Sequence, residues 1–265
     1  MEYSEDQLQR YARHIVLPEV GGIGQTKLIK SKVLVVGAGG LGAPILLYLA
    51  AAGVGTIGVV DDDVVELSNL QRQVIHSSSR LGQAKVESAS YILKDINPEI
   101  RIITHNCRLN RDNGKRLISD YDIIADGSDN FATRFLLADI AHLIGKTLVS
   151  AAILRFEGQI STFKSHLGEP YPCYRCLFPE APADGLVPSC SEGGVLGAVA
   201  GIMGSLQAIE IIKEIIGIGE SLAGQILLFN ALETTFRKIK LSKDPECELC
   251  GNKSNNKDLS GNAHP

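Results

Sequence analysis

The sequence predicts an α/β fold: a doubly wound, mostly parallel sheet, extended by antiparallel C-terminal strands and fastened by a cysteine knuckle. Three observations predict it. Short apolar runs rich in Val and Ile alternate with helical stretches through residue 152, at the spacing of strand–helix–strand units. A glycine-rich turn joins the first strand to the helix that follows it. After residue 152 the regular strand–helix alternation stops, giving way to a strand, a Pro/Cys loop, one long helix and two strands, and two Cys-x-x-Cys pairs fall in that half.

The elements follow in order. Residues 4–17 read as an amphipathic helix, with Ser4 and Gln7 spaced as a capping box and Leu8, Tyr11 and Ile15 recurring at helical spacing. Gly21–Gly24 reads as a link to the strand Lys32–Val36. GAGGLG (37–42) opens a helix that runs to about Ala52. A strand at 56–60 ends in three aspartates, and a polar helical stretch containing NLQRQ (69–73) follows. Helices are predicted over 82–96, 112–119 and 131–144, and strands over 100–105, 121–125 and 147–152. Then come a strand at 158–163, a Pro/Cys loop at 171–188, a long apolar helix at 194–216, and strands at 225–229 and 235–240 that read as a hairpin. The polar run after Cys250 reads as a disordered tail.

This organisation divides the 265 residues into an N-terminal helical arm (1–30), a nucleotide-binding region (31–165), a region of crossover loop, helix and C-terminal strands (166–250) and the tail (251–265). With 45% hydrophobic residues a sizeable core is expected, and a net charge of −4 argues against nucleic-acid binding. The apolar runs are too short, or too broken by glycine and charge, to cross a membrane. No leader is evident, and six cysteines fall well below disulfide-scaffold density, so a reducing cytoplasm is the expected compartment.

Gly37-x-Gly39-x-x-Gly42 stands between a strand and a helix, the Rossmann-like context in which backbone amides approach phosphate at a helix N-terminus. Asp61 ends the next strand, about 20 residues on, where an acid accepts from ribose hydroxyls. These residues alone fit an NAD-dependent oxidoreductase. Arg72 and Lys85 add two cations beyond the acidic strand end, which a triphosphate needs and a hydride-transfer site does not. Asp129, in DGSDN past the fourth strand, reads either as a carboxylate for Mg²⁺ or as the N-cap of the next helix.

Cys173, Cys176, Cys247 and Cys250 supply four thiolates, a set that suits tetrahedral structural Zn²⁺; paired redox motifs or plain buried thiols are the alternatives. Cys107 reads as a small hydrophobe. Cys190 falls in a loop before the long helix and reads as either a reachable or an inert thiol.

RYARHI, GAGGLG, SNLQRQ, GQAKVESA, DGSDN, CYRC and CELC together resemble the MoeB/ThiF/HesA family of adenylyltransferases, relatives of the ubiquitin-activating enzymes, over residues 4–251. The resemblance implies ATP-dependent adenylation of the C-terminal Gly-Gly carboxylate of a small ubiquitin-like sulfur-carrier protein, with Mg²⁺. It implies that Gly40 lines the nucleotide, that Asp61 takes the ribose, and that Ser68, Asn69, Leu70, Gln71 and Arg72 reach the phosphates. Arg72 and Lys85 would neutralise charge, with Asp129 the essential carboxylate and Asn130 beside it. Arg13 would enter the ATP site of a partner subunit, implying a homodimer, and Cys190 would join covalently to the carrier in some members. The carrier's docking surface is expected on the Tyr171–Ser191 loop and the apolar face of the C-terminal strands. CYRCLFP leans toward the molybdopterin-synthase branch, with thiamine synthesis the other pathway in view. An oxidoreductase and a cofactor binder without catalysis are the rival readings.

Overall fold

A computed structural model describes residues 3–182 and 193–252. Eight strands form one sheet in the order β3-β2-β1-β4-β5-β6-β7-β8. The strands are β1 (Lys32–Val36), β2 (Thr56–Val60), β3 (Arg101–His105), β4 (Ile123–Asp126), β5 (Thr147–Leu154), β6 (Glu157–Phe163), β7 (Gln225–Asn230) and β8 (Thr235–Lys240). The first five are parallel, and β6, β7 and β8 are added antiparallel. The helices are α1 (Glu5–Ile15), α2 (Gly21–Lys30), α3 (Gly42–Ala52), α4 (Lys85–Ile96), α5 (Arg111–Ser119), α6 (Phe131–Leu143), a single turn α7 (Tyr174–Leu177) and α8 (Gly197–Ile216).

β1 shows why the sheet is covered on both faces. Its side chains alternate, and Val33 and Val35 join one buried cluster while Leu34 and Val36 join another. The first cluster includes residues of α3, α4 and α8, and the second residues of α5, α6 and the α7 tyrosine. α3 is apolar nearly all round and is accordingly buried. It stops at Gly53, whose φ of 79° is the left-handed conformation of a helix terminator.

The expected parallel-to-antiparallel change is present, as is the capping box, in which the Gln7 amide donates to Ser4 Oγ at 3.1 Å and the Ser4 amide to Gln7 Oε1 at 3.2 Å. Two local expectations fail. Gly21–Gly24 is the start of a helix: a Cβ on Gly24 would stand 3.1 Å from Ile216, so glycine lets α2 lie close against the end of α8. There the Lys27 ammonium donates to the Ile216 carbonyl. NLQRQ is mostly turn, preceded by a short 3₁₀ segment at Leu67–Asn69. The tail expectation falls on residues of which 253–265 lie outside the described ones.

Strand order reverses between β1 and β4, so the crevice of a doubly wound sheet opens at their carboxyl ends. Register puts the last residues level: Val36 pairs with Val60 and with Asp126, and Val60 with His105. Gly37, Asp61 and Gly127 therefore enter the same crevice.

Candidate functional site

The glycine turn is built by close backbone approach. Gly37 has φ 97°, and a Cβ there would stand 2.7 Å from the Gly127 carbonyl. A Cβ on Gly42 would stand 1.9 Å from the Gly37 carbonyl, so the third glycine serves the packing of α3 against the turn. Asp61 locks this loop from β2: its Oδ2 accepts the Ala38 amide at 2.7 Å and its Oδ1 the Asp63 amide at 2.9 Å. From the other side, His76 Nε2 lies 2.9 Å from the Ala38 carbonyl and Nδ1 2.9 Å from Ser88 Oγ. The carbonyl can only accept, so Nε2 carries the proton and Nδ1 accepts from the serine. Burial, ahead of the nearby Lys85 charge, pushes the His76 pKa below its ordinary value.

The loop borders a cavity of about 260 Å³. Gly37, Gly39, Gly40, Asp61, Arg72, Lys85, Asp129 and Asn130 all line it. Lys85 is buried at the start of α4 and its ammonium lies 2.7 Å from Asp63 Oδ2, while Arg72 Nη1 donates to the Ser68 carbonyl at 3.1 Å. Of the Ser68–Arg72 stretch only Arg72 reaches the wall: Asn69 is buried and its Oδ1 accepts the Glu66 amide, and Ser68 and Gln71 face solvent. The two readings of Asp129 separate here. Asn130 caps α6, its Oδ1 accepting the Thr133 amide at 2.9 Å, which leaves Asp129 exposed to the cavity.

Asp129 also lines a second cavity of about 410 Å³, more apolar, between the β5–β6 turn, β7, β8 and Phe178. Arg134 of α6 lines both. Gln73, directly after Arg72, also lines the nucleotide cavity, and His76 holds the glycine loop beside it. Sequence reading passed over all three; the run QRQVIH offered a signal for two of them, since Gln73 and His76 follow directly on the phosphate-facing Arg72, whereas nothing local marks Arg134. Tyr174 packs behind the second cavity's wall with its pKa pushed up to about 12 by burial, the Arg134 charge opposing.

The four cysteines come together. Cys173–Cys247, Cys176–Cys250 and Cys173–Cys176 sulfurs are 3.5, 3.4 and 3.8 Å apart, and none of these thiols is in a disulfide. The edge of a tetrahedron of sulfurs around a metal at ~2.3 Å is ~3.8 Å, so the cluster has metal-holding size. The Asp244 amide points at Cys176 Sγ, 3.4 Å away, as an outer-shell donor. Hydrogen bonds from neighbouring thiols, Cys173 first, draw the Cys176 pKa down to about 7.

Arg13 is exposed on α1 and is not among the residues lining its own chain's cavity. Cys190 lies outside the described residues, as does most of the second half of the Tyr171–Ser191 loop. No helix among the described residues is long and apolar enough to cross a membrane.

Known proteins share both the sequence and the shape. Residues 11–249 match the model of the ThiF family. The chain is 46% identical to a sulfur carrier protein adenylyltransferase of Thermus thermophilus, over 98% of this chain and 96% of the relative. It is 47% identical to a SAMP-activating enzyme E1 of Haloferax volcanii, over 92% and 89%. It is 51% identical to a probable adenylyltransferase/sulfurtransferase MoeZ of Mycobacterium tuberculosis, but spans only 62% of that relative's length. Among solved structures, E. coli MccB with MccA-N7isoASN superposes with a TM-score of 0.81 at 22% identity, covering 92% of this chain and 75% of that one. With the family model spanning nearly its whole length, the chain belongs to the ThiF family.

Proposed function

We propose that the protein uses ATP to adenylate the C-terminal carboxylate of a ubiquitin-like sulfur-carrier protein, releasing pyrophosphate. One observation carries this reading: two cations and an uncommitted carboxylate, Arg72, Lys85 and Asp129, line the same cavity as the glycine turn. The relative named a sulfur carrier protein adenylyltransferase, and that named a probable adenylyltransferase/sulfurtransferase, support it.

The glycine turn and the N-terminus of α3 receive phosphate oxygens, and Asp61 faces the ribose while its carboxylate holds the loop. Arg72 and Lys85 neutralise the charge that grows on the phosphates. The carrier tail enters through the second cavity, which opens on Asp129. A carrier carboxylate oxygen then attacks the α-phosphorus, an oxygen–phosphorus bond forms, and the bond to the bridging oxygen breaks, with its electrons leaving on pyrophosphate. No base is needed, because the attacking group is ionised at pH 7. Alignment alone can supply about 7–11 kcal/mol of the barrier.

The exposed Asp129 carboxylate would hold Mg²⁺, which would supply charge neutralisation for the phosphates. Zn²⁺ fits the four-sulfur cluster, which leaves it no open position and makes it a staple between the segments at residues 173 and 247. Arg13 serves a second copy of the chain, in a homodimer, and Cys190 joins the carrier covalently. The free thiols suit the cytoplasm, and residues 1–30, 31–165 and 166–250 form the arm, the ATP-binding region and the carrier- and metal-binding region. The test is carrier-dependent ATP–pyrophosphate exchange with each Gly-Gly-terminated carrier encoded in the same genome. Asp129→Ala should lower it at least about 10²-fold; full activity in that variant removes Asp129 from the mechanism.

A further inference from the structure

Arg134 is the cationic side chain common to the linings of both cavities, among the described residues. It is 7% exposed, and the ion pairs found among the described residues do not include it. Nη2 donates to the Ser128 carbonyl at 3.0 Å, and the guanidinium carbon lies 5.6 Å from the Phe131 ring centre, which holds the group in place. Nε, by contrast, is buried without a hydrogen-bond partner, and the Tyr174 hydroxyl is the other polar group beside the guanidinium. A buried charged donor left unpaired is costly, and such a group in a native site calls for a ligand atom.

The chemistry of the proposed reaction asks for a cation at this place. An ionised carboxylate must travel past the Asp129 carboxylate and come into contact with a triphosphate, so three negative groups converge where the two cavities meet. Arg72 and Lys85 line only the nucleotide side, and Lys85 is already paired with Asp63. Arg237 lines only the tail side. The guanidinium between the two chambers, in none of the ion pairs found among the described residues, is the group that can pair with the arriving carboxylate before the phosphate meets it.

Resting on the adenylation reading, we propose that Arg134 is the receptor for the carrier's terminal carboxylate. Its guanidinium pairs with one carboxylate oxygen and leaves the other directed at the α-phosphorus. Arg134 thereby selects a chain that ends in a free acid.

The experiment compares binding of a Gly-Gly-terminated carrier with the same carrier ending in a carboxamide, both to the full-length protein loaded with a non-hydrolysable ATP analogue. Wild type should prefer the acid by at least about tenfold. Arg134→Gln should bind both forms equally while holding the ATP analogue within about threefold of wild type and melting cooperatively. Arg134→Ala should regain part of its pyrophosphate exchange on adding methylguanidinium, which a purely structural loss would not. An acid preference that survives in Arg134→Gln, or loss of ATP-analogue and carrier binding together, overturns the proposal. Wild type that never exchanges pyrophosphate with any carrier overturns the adenylation reading itself; wild-type exchange with unchanged Arg134 variants overturns only the receptor assignment.

Discussion

The Lys85 ammonium and the Asp63 carboxylate are 2.7 Å apart, yet the two ends of this pair live in different surroundings: Lys85 is buried and Asp63 is 67% exposed. Water around Asp63 screens the attraction, so the pair contributes no more than about 1 kcal/mol. The ammonium keeps two further donors for phosphate. Asp63→Ala should therefore leave the melting temperature within a few degrees and keep most of the exchange activity. Lys85→Ala should cut kcat/KM for carrier-dependent exchange by about 10²-fold or more. Equal losses in the two variants would mean that the ion pair, not the lysine's free donors, is what the site needs.

Two glycines of one turn should respond differently to alanine. At Gly42 the added methyl would stand 1.9 Å from the Gly37 carbonyl, a backbone atom that cannot step aside. Gly42→Ala should cost about 1–3 kcal/mol in denaturant unfolding and abolish nucleotide binding. At Gly39 the nearest atom is the Gln73 amide nitrogen at 3.6 Å, ordinary contact distance. Gly39→Ala should fold within about 0.5 kcal/mol of wild type and weaken ATP affinity alone, because its methyl narrows the cavity mouth. Nucleotide titrations beside urea melts separate the two.

Stability should fall on acidification through the histidine range. The folded His76 pKa lies below the unfolded value of 6.5, because burial disfavours the charged ring. As pH drops through ~6.5 the unfolded chain takes up a proton that the folded chain refuses, so unfolding becomes easier until the folded pKa is passed. His105, His142 and His166 are shifted the same way, also by burial, and add to the slope. Urea midpoints between about pH 7.5 and about pH 5.8 should decline in wild type, and decline less in His76→Gln. An identical slope in the variant would take His76 out of the account.

Removing one sulfur tests the staple. Cys250→Ser should lower bound zinc to well under one equivalent in protein purified without chelator. A loss of about 3 kcal/mol would lower the melting temperature by roughly 6–12 °C. Undiminished stability with zinc absent would reduce the cluster to four packed thiols.

What could be read from the sequence was whatever chemistry sits close together along the chain. The glycine turn, the acid at the end of β2 and the paired cysteines each declare themselves within a few residues, and their contexts came out as expected. Arg134 did not declare itself, because its meaning arises only when α6 is laid against β5–β8 and a second cavity forms beside the first. α2 was misread for the opposite reason. Three glycines in ten residues lower helix propensity, but packing against Ile216 in α8 outweighs that local cost. The capping of α6 by Asn130 rather than Asp129 turned on one residue of offset, which spacing arguments do not resolve.

Tyr11 is 3% exposed, its hydroxyl accepting from Asn97 Nδ2 at 2.9 Å, and a methyl on Gly53 would collide with its ring. Arg13 stands two residues further along the same helix. Whatever a neighbouring molecule meets in that arginine is thus bolted to the body behind it, not dangled on a tether. Trimming the chain's leading segment would consequently scar the interior as well as remove a charge, and only a point replacement at Arg13 can tell those two injuries apart.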